Sequence, residues 1–253
     1  MPDLSAVVSA LRSAGCVFAE DEARLLIEAA PSTSDLDALV RRRVAGEPLE
    51  QVLGWAEFRG LRVAVRPGVF VPRRRTEFLV ERALAVARPG AIVVDLCCGS
   101  GAIGLALATE LGGVELYAAD VDPACVACAR ENLAPVGGHV FEGDLADPLP
   151  AELRGRVDVL TVNAPYVPTA AIALMPPEAR LHEPAVALDG GADGLDVLRR
   201  VVDLAPAWLA PDGHLLFETS EAQAPVMAAY AVAAELVPTV ATSEDATVLV
   251  LDR

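Results

Sequence analysis

Apolar side chains recur at helical spacing over residues 3 to 30, where Leu4, Val7, Val8 and Leu11 form one stripe and Ala23, Leu26, Ile27 and Ala30 another. Two short amphipathic helices are predicted. The stretch "PSTSDLDALVRRRVAG" predicts a third, capped by Ser34 and ended by Gly46. Between Glu47 and Pro72 the pattern shortens. Phe58, Leu61, Val63 and Val65 stand among turn signals at Gly60 and Pro67-Gly68, which reads as a β-hairpin or two short strands. "TEFLVERALAVA" then predicts a helix with Thr76 as its cap. From Ala91 onward strand-like runs ("AIVVDL", "ELYAAD", "HVFEGD", "VDVLTVN", "GHLLFET", "TVLVLD") alternate with helical ones. That alternation calls for a mostly parallel sheet covered by helices on both faces, an α/β architecture. The expected organisation is a helical unit over 1–46, a hairpin connector over 47–72 and an α/β domain over 73–253, without internal repeats or low-complexity linkers.

Composition narrows the function classes. The 253 residues are 53% hydrophobic but only 4% aromatic, so small aliphatic side chains build the core. Twenty Lys+Arg against 36 Asp+Glu give a formal charge of −16, which opposes the phosphate attraction that drives nucleic-acid binding. The runs Arg41-Arg42-Arg43 and Arg73-Arg74-Arg75 read as solvated faces. Residues 1–15 lack a basic-then-apolar leader, and five cysteines, an odd number, point to a reducing cytoplasm. No apolar run approaches the length of a membrane span. Cys125 and Cys128 have zinc-like spacing but fall within a predicted helix and have no second pair, so they read as buried thiols. His139, His182 and His214 show no metal spacing and are read as surface or loop residues; no metal is expected.

Candidate chemistry begins in "VVDLCCGSGAIGLALA", which sets Gly99, Gly101 and Gly104 between a strand and a helix, where a ligand can approach the backbone. Asp120 ends the next strand about twenty residues on, placed to accept from ribose hydroxyls. Asp144 ends the one after, placed to meet an adenine amino group. A NAD-binding domain shares the first of these acids, and either aspartate alone has the plainer reading of a helix cap.

Together these residues resemble the class I S-adenosyl-L-methionine-dependent methyltransferases. The resemblance implies a Rossmann-like, seven-stranded, mostly parallel sheet with an antiparallel insertion near its end. It also implies that Asp95, Cys97, Gly99 and Gly101 hold the methionine portion, Asp120 the ribose, and Asp144 with Leu145 the adenine, with Asn163 also among the cofactor-binding residues. Cys97 stands where the family usually has glycine.

The fourth strand ends on Asn163-Ala164-Pro165-Tyr166, similar to the Asn/Asp-Pro-Pro-Tyr/Phe motif of methyltransferases that alkylate a planar nitrogen. A delocalised NH2 is a poor nucleophile, and two acceptors aimed at its N–H bonds favour the pyramidal nitrogen of the transition state: the Asn163 side-chain oxygen and the Ala164 carbonyl. Pro165 keeps Ala164 extended, and Tyr166 offers a ring face for the planar group. The plainer reading is an Asn-initiated turn with a core tyrosine. "FRGLRVAVRPGVFVPRRRTEFLVE", "EPAVALDGGADGLDVLRRVV" and "PDGHLLFETSEAQ" extend the likeness, over roughly residues 46 to 225, to the protein glutamine-N5 methyltransferases, the HemK or release-factor-modifying family. That likeness implies a small helical N-terminal domain that grips a protein, a glutamine in the Gly-Gly-Gln loop of a peptide chain release factor as target, and S-adenosyl-L-homocysteine as product. Ala164 replaces the first proline of the motif. Methylation of the exocyclic amine of adenine in nucleic acid, and a noncatalytic binding module on the same fold, are the alternatives.

Overall fold

The computed structural model describes residues 4–253. The expected first helix is α1 (Leu4–Ser13), so Asp3 lies outside the described residues; α2 (Ala19–Ala29) and α3 (Thr33–Val44) follow. Ser32 caps α3, with its hydroxyl accepting from the Asp35 amide at 3.2 Å. That corrects the expectation at Ser34, which lies within the first turn. A helix the pattern did not announce, α4 (Leu49–Leu53), ends where Gly54 adopts φ +82°, a conformation that costs glycine little. The four helices enclose their own apolar cluster around Leu11, Leu26, Leu36 and Val52.

The hairpin is β1 (Trp55–Phe58) and β2 (Leu61–Ala64), antiparallel with Phe58 opposite Leu61. Then come α5 (Glu77–Val86), β3 (Ile92–Leu96), α6 (Ala102–Leu111), β4 (Glu115–Asp120), α7 (Pro123–Leu133), β5 (His139–Glu142), β6 (Val157–Val162), α8 (Pro177–His182), α9 (Asp196–Trp208), β7 (Leu209–Thr219), α10 (Ala224–Ala233), β8 (Val237–Thr242) and β9 (Thr247–Asp252). The large sheet has the order β5-β4-β3-β6-β7-β9-β8. Strands β3 to β7 pair in parallel, and β9 runs antiparallel between β7 and β8. The sequence pattern missed β8 because it is an edge strand with mostly exposed residues and a proline, Pro238; edge positions tolerate both.

All five residues of β3 are buried, as in a central strand covered on both faces. Its alternation divides the core: Ile92, Val94 and Leu96 pack under α9 and α10, whereas Val93 packs with α5 and α6. Strand order reverses between β3 and β4 on one side and β3 and β6 on the other, which opens a crevice at the carboxyl ends of these strands. Both aspartate-bearing ends and the Asn163 rim meet there. His139, on β5, is an exposed surface residue whose ring stacks 5.3 Å from that of Tyr117, and His214, on β7, is half-buried with Nδ1 2.7 Å from Asp252. Cys125 and Cys128 are buried beside Val69, as expected of core thiols.

Candidate active site

The turn after β3 is left-handed three times in five residues, at Cys97 (φ +52°), Gly99 (φ +54°) and Gly101 (φ +78°). Cys97 therefore pays on the order of 1 kcal/mol that glycine would not. Asp95 fastens this turn from behind. Its Oδ2 accepts the Gly104 amide at 3.0 Å, its Oδ1 accepts the Thr161 hydroxyl at 3.2 Å, and it is fully buried. Burial pushes its carboxyl up to about 7. The crevice is lined by Cys97, Cys98, Gly99 and Ser100 but by neither Asp95 nor Gly101. Asp95 is tied to the turn through the Gly104 amide, and Gly101 opens α6 in a place where a Cβ would lie 3.1 Å from Leu133. Asn132 on α7 holds the turn from a third side. Its Nδ2 donates to Ser100 O at 2.8 Å and to Ala64 O at 2.9 Å, and its Oδ1 accepts the Ala64 amide at 2.8 Å, locking hairpin to turn.

Asp120 faces the crevice from the end of β4. One carboxylate oxygen takes the Gly99 amide and the other the Asp122 amide, both at 2.9 Å. Burial raises its pKa. Asp144 and Leu145 also line the crevice, Leu145 with φ +48°. Asp144 is paired with Arg200 of α9 at 2.7 Å, a partner not legible from local sequence.

Asn163, Ala164, Pro165 and Tyr166 all line the same cavity of about 570 Å³, leaving β6 beside the end of β3, where Val162 pairs with Leu96. Among the described residues nothing donates to Asn163 Oδ1 or to the Ala164 carbonyl. Both atoms read as acceptors for a planar NH2 are thus without a donor. Asn163 Nδ2 points instead to the Thr76 hydroxyl at 3.5 Å. Thr76 occupies the cap position of α5, yet its hydroxyl makes no cap bond; it donates to Glu218 Oε2 at 2.7 Å. Glu218 Oε1 accepts Arg75 Nε and the Tyr166 hydroxyl, both at 2.8 Å, and Arg75 Nη2 donates to Tyr166 at 2.9 Å. Burial, then the Glu218 carboxylate, push the Tyr166 phenol up to about 12, so it stays a donor.

The arginine runs are solvated only in part: Arg41 and Arg74 are exposed, whereas their neighbours are paired. Besides Arg75, Arg73 pairs at 2.5 Å with buried Glu183, while Arg43 pairs with Glu22 at 2.6 Å and with Glu178 at 3.4 Å, joining α3 to α8 beside the cavity. The "LDGGADGLD" segment proves to be a buttress for the Asn163–Tyr166 loop. Gly190 donates to Val167 O at 2.9 Å, and Gln223 Nε2 bridges Tyr166 O and Asp193 O, also at 2.9 Å. A Cβ on Gly194 would lie 2.3 Å from Tyr166 O.

The Methyltransferase small domain family model matches residues 60–191. A release factor glutamine methyltransferase from Mycolicibacterium smegmatis is 39% identical over 222 residues, 86% of this chain and 77% of that protein. The chain belongs to the release factor glutamine methyltransferase family. The protein of that name from Geobacter sulfurreducens is 43% identical over 188 residues, which cover 74% of this chain and 65% of its own length. The family also has relatives with other names: a 4-amino-L-phenylalanine/4-methylamino-L-phenylalanine methyltransferase from Streptomyces pristinaespiralis is 37% identical over 186 residues, 71% of this chain and 63% of that protein. A methyltransferase from Pyrococcus furiosus shares the fold with a TM-score of 0.59 at 14% identity, covering 87% of this chain and 98% of its own. Fold and family make this chain an S-adenosyl-L-methionine-dependent methyltransferase. The crevice fits that cofactor, offering a left-handed turn of backbone amides, a strand-end carboxylate and a largely apolar cavity of the size small-molecule sites have. No described helix is long and apolar enough to cross a membrane.

Proposed function

We propose that this protein methylates the side-chain amide nitrogen of a glutamine in a protein, and that the glutamine lies in the Gly-Gly-Gln loop of a peptide chain release factor. The reading rests on two acceptors without a donor among the described residues, Asn163 Oδ1 and Ala164 O, in residues that line the crevice, together with the names of the relatives above. Asp120 accepts from the ribose hydroxyls, the turn over Cys97, Gly99 and Ser100 faces the methionine portion, and Leu145 lies against the adenine. Asp144 reaches the adenine amino group only by sharing its carboxylate with Arg200 or leaving it.

Bound S-adenosyl-L-methionine supplies an electrophilic methyl group at the face of the substrate nitrogen. Asn163 and Ala164 each accept one of its N–H bonds, which turns the lone pair toward the cleft and stabilises the pyramidal, partly positive nitrogen. No strong base is required, since the amide proton becomes acidic as the bond forms and leaves to solvent. The Tyr166 ring, fixed through its hydroxyl, bounds the planar group on one side. The helical unit at 1–46 and the connector at 47–72 border the cavity through the Arg43–Glu178 pair and Phe58, and in this reading they grip the protein substrate. Its place is the reducing cytoplasm, where five free thiols persist.

Labelled-methyl transfer to a release factor, to its Gln→Ala variant, to 4-aminophenylalanine and to DNA and RNA tests the reading. Transfer that requires the glutamine supports it. A second reading, an aromatic amine as acceptor, is favoured by the Streptomyces pristinaespiralis relative, and transfer to 4-aminophenylalanine alone would establish it in place of the first. Adenine in nucleic acid presents the same planar amine but meets a chain of charge −16.

A further inference from the structure

An amide side chain looks nearly the same either way round, yet only one edge of Asn163 accepts an N–H. Its orientation is set by the hydrogen bonds of its neighbours. Glu218 is 1% exposed and in an ion pair with Arg75. Its Oε1 is occupied by two donors, Arg75 Nε and the Tyr166 hydroxyl, whose own lone pair is taken by Arg75 Nη2. Its Oε2 is therefore left for the one proton of Thr76, at 2.7 Å. With that proton committed, Thr76 Oγ1 has only lone pairs to offer, and the edge of Asn163 that turns to it is the NH2, at 3.5 Å. The oxygen is left on the other edge, without a donor among the described residues, in a residue that lines the cavity.

We propose that Thr76 and Glu218 are positioning residues that fix the polarity of the Asn163 amide, so that its oxygen and not its NH2 meets the substrate nitrogen. The inference rests on the reading of Asn163 as the acceptor for the planar NH2. It carries a consequence that a merely structural role lacks. In Glu218→Gln the amide oxygen belongs where two donors converge, beside Arg75 and Tyr166, which places the new NH2 against Thr76. Thr76 then accepts, its proton turns to Asn163, and the Asn163 amide reverses to present N–H to N–H. Removing the relay with Thr76→Val releases the amide to rotate, so a second substitution repairs the first.

The test is a double-substitution cycle. E218Q is expected to lower kcat at least about 30-fold with S-adenosyl-L-methionine affinity within two-fold, T76V only about two- to five-fold, and the double variant to return to near T76V. Thr76→Ser, which keeps the hydroxyl, is expected to stay within about three-fold of the wild type. Losses that multiply in the double variant, or E218Q within two-fold of the wild type, overturn the proposal. A second measurement needs no turnover and stands if E218Q does not fold or if no acceptor substrate is found. It is hydrogen exchange of the Asn163 side-chain NH2 in a 15N-resolved spectrum, that signal being identified by its loss in N163A. Protection in wild type and T76S that is lost in T76V supports the relay; equal exchange in all three overturns it. A wild type that transfers methyl to none of the acceptors fails the functional reading alone, and the exchange result still decides the polarity.

Discussion

The Tyr166 hydroxyl donates to Glu218 at 2.8 Å across 52 residues of sequence, tying the loop that ends β6 to the strand β7 beside it. The tyrosine is thereby a fixed wall of the pocket. Removing the hydroxyl leaves the ring but frees it, and two charge-assisted hydrogen bonds are lost, one to Glu218 and one from Arg75, together about 1.5 kcal/mol or more. Tyr166→Phe is expected to lower kcat about ten-fold with cofactor affinity within two-fold, read by steady-state kinetics and calorimetry. Unchanged kcat would show that the ring is held by packing alone.

Asn163 follows β6 and Asp120 ends β4, with β3 between them, and the Asp120 carboxylate holds Gly99. Asn163→Ala removes one of the two free acceptors and is expected to cut transfer by at least about 100-fold, the scale of losing one transition-state hydrogen bond, with little change in cofactor binding. A comparable loss of cofactor affinity would give Asn163 a different role.

For Asp120 the expectation is the reverse. Asp120→Ala removes both the carboxylate proposed to meet the ribose and the anchor of the Gly99 amide. Hydrogen bonds to a charged group contribute about 1.5–3 kcal/mol, so affinity for S-adenosyl-L-methionine should fall about 10- to 100-fold by calorimetry. Full affinity with an intact fold would mean the ribose is held elsewhere.

Gly194 and Gly155 separate steric from conformational cost. Both have positive φ, +79° and +70°, but a Cβ on Gly155 meets nothing within 4 Å, whereas on Gly194 it would lie 2.3 Å from Tyr166 O and 2.6 Å from Gln223 Nε2. Gly155→Ala should cost only the left-handed backbone penalty, about 1 kcal/mol. Gly194→Ala should lower Tm by clearly more and reduce transfer, because the loop carrying Asn163 must shift. Equal Tm values for the two would remove the buttress from the account.

Asp95 makes stability depend on pH with an unusual sign. Its folded-state pKa is raised, from 3.8 to about 7, by burial. The folded protein then binds more protons than the unfolded chain between those values, and stability falls as pH rises from about 4 to about 7 and is level above. Asp95→Asn keeps an acceptor for the Gly104 amide without a charge to bury. The Tm of D95N relative to wild type should climb across that window by the equivalent of a few kcal/mol. A difference that is constant with pH would mean Asp95 titrates normally.

The periodic patterns alone determine the strand and helix alternation, the hairpin and the glycine turn, because period-2 and period-3.6 burial and the left-handed demand of Gly99 and Gly101 are local properties. β3 and α6 could be read almost to the residue, and the Asn163–Tyr166 motif was visible as chemistry. Local signals also misled where the deciding partner was distant. Thr76 looked like a helix cap, and its hydroxyl donates to Glu218, 142 residues on; Arg73 and Arg75 looked solvated and pair with Glu183 and Glu218. A carboxylate and an arginine become partners only when the sheet order sets β7 beside β6 and brings the start of α5 over both. Which edge of Asn163 faces the cavity is therefore a property of the tertiary hydrogen-bond network, because nothing within the tetrapeptide itself prefers one edge over the other.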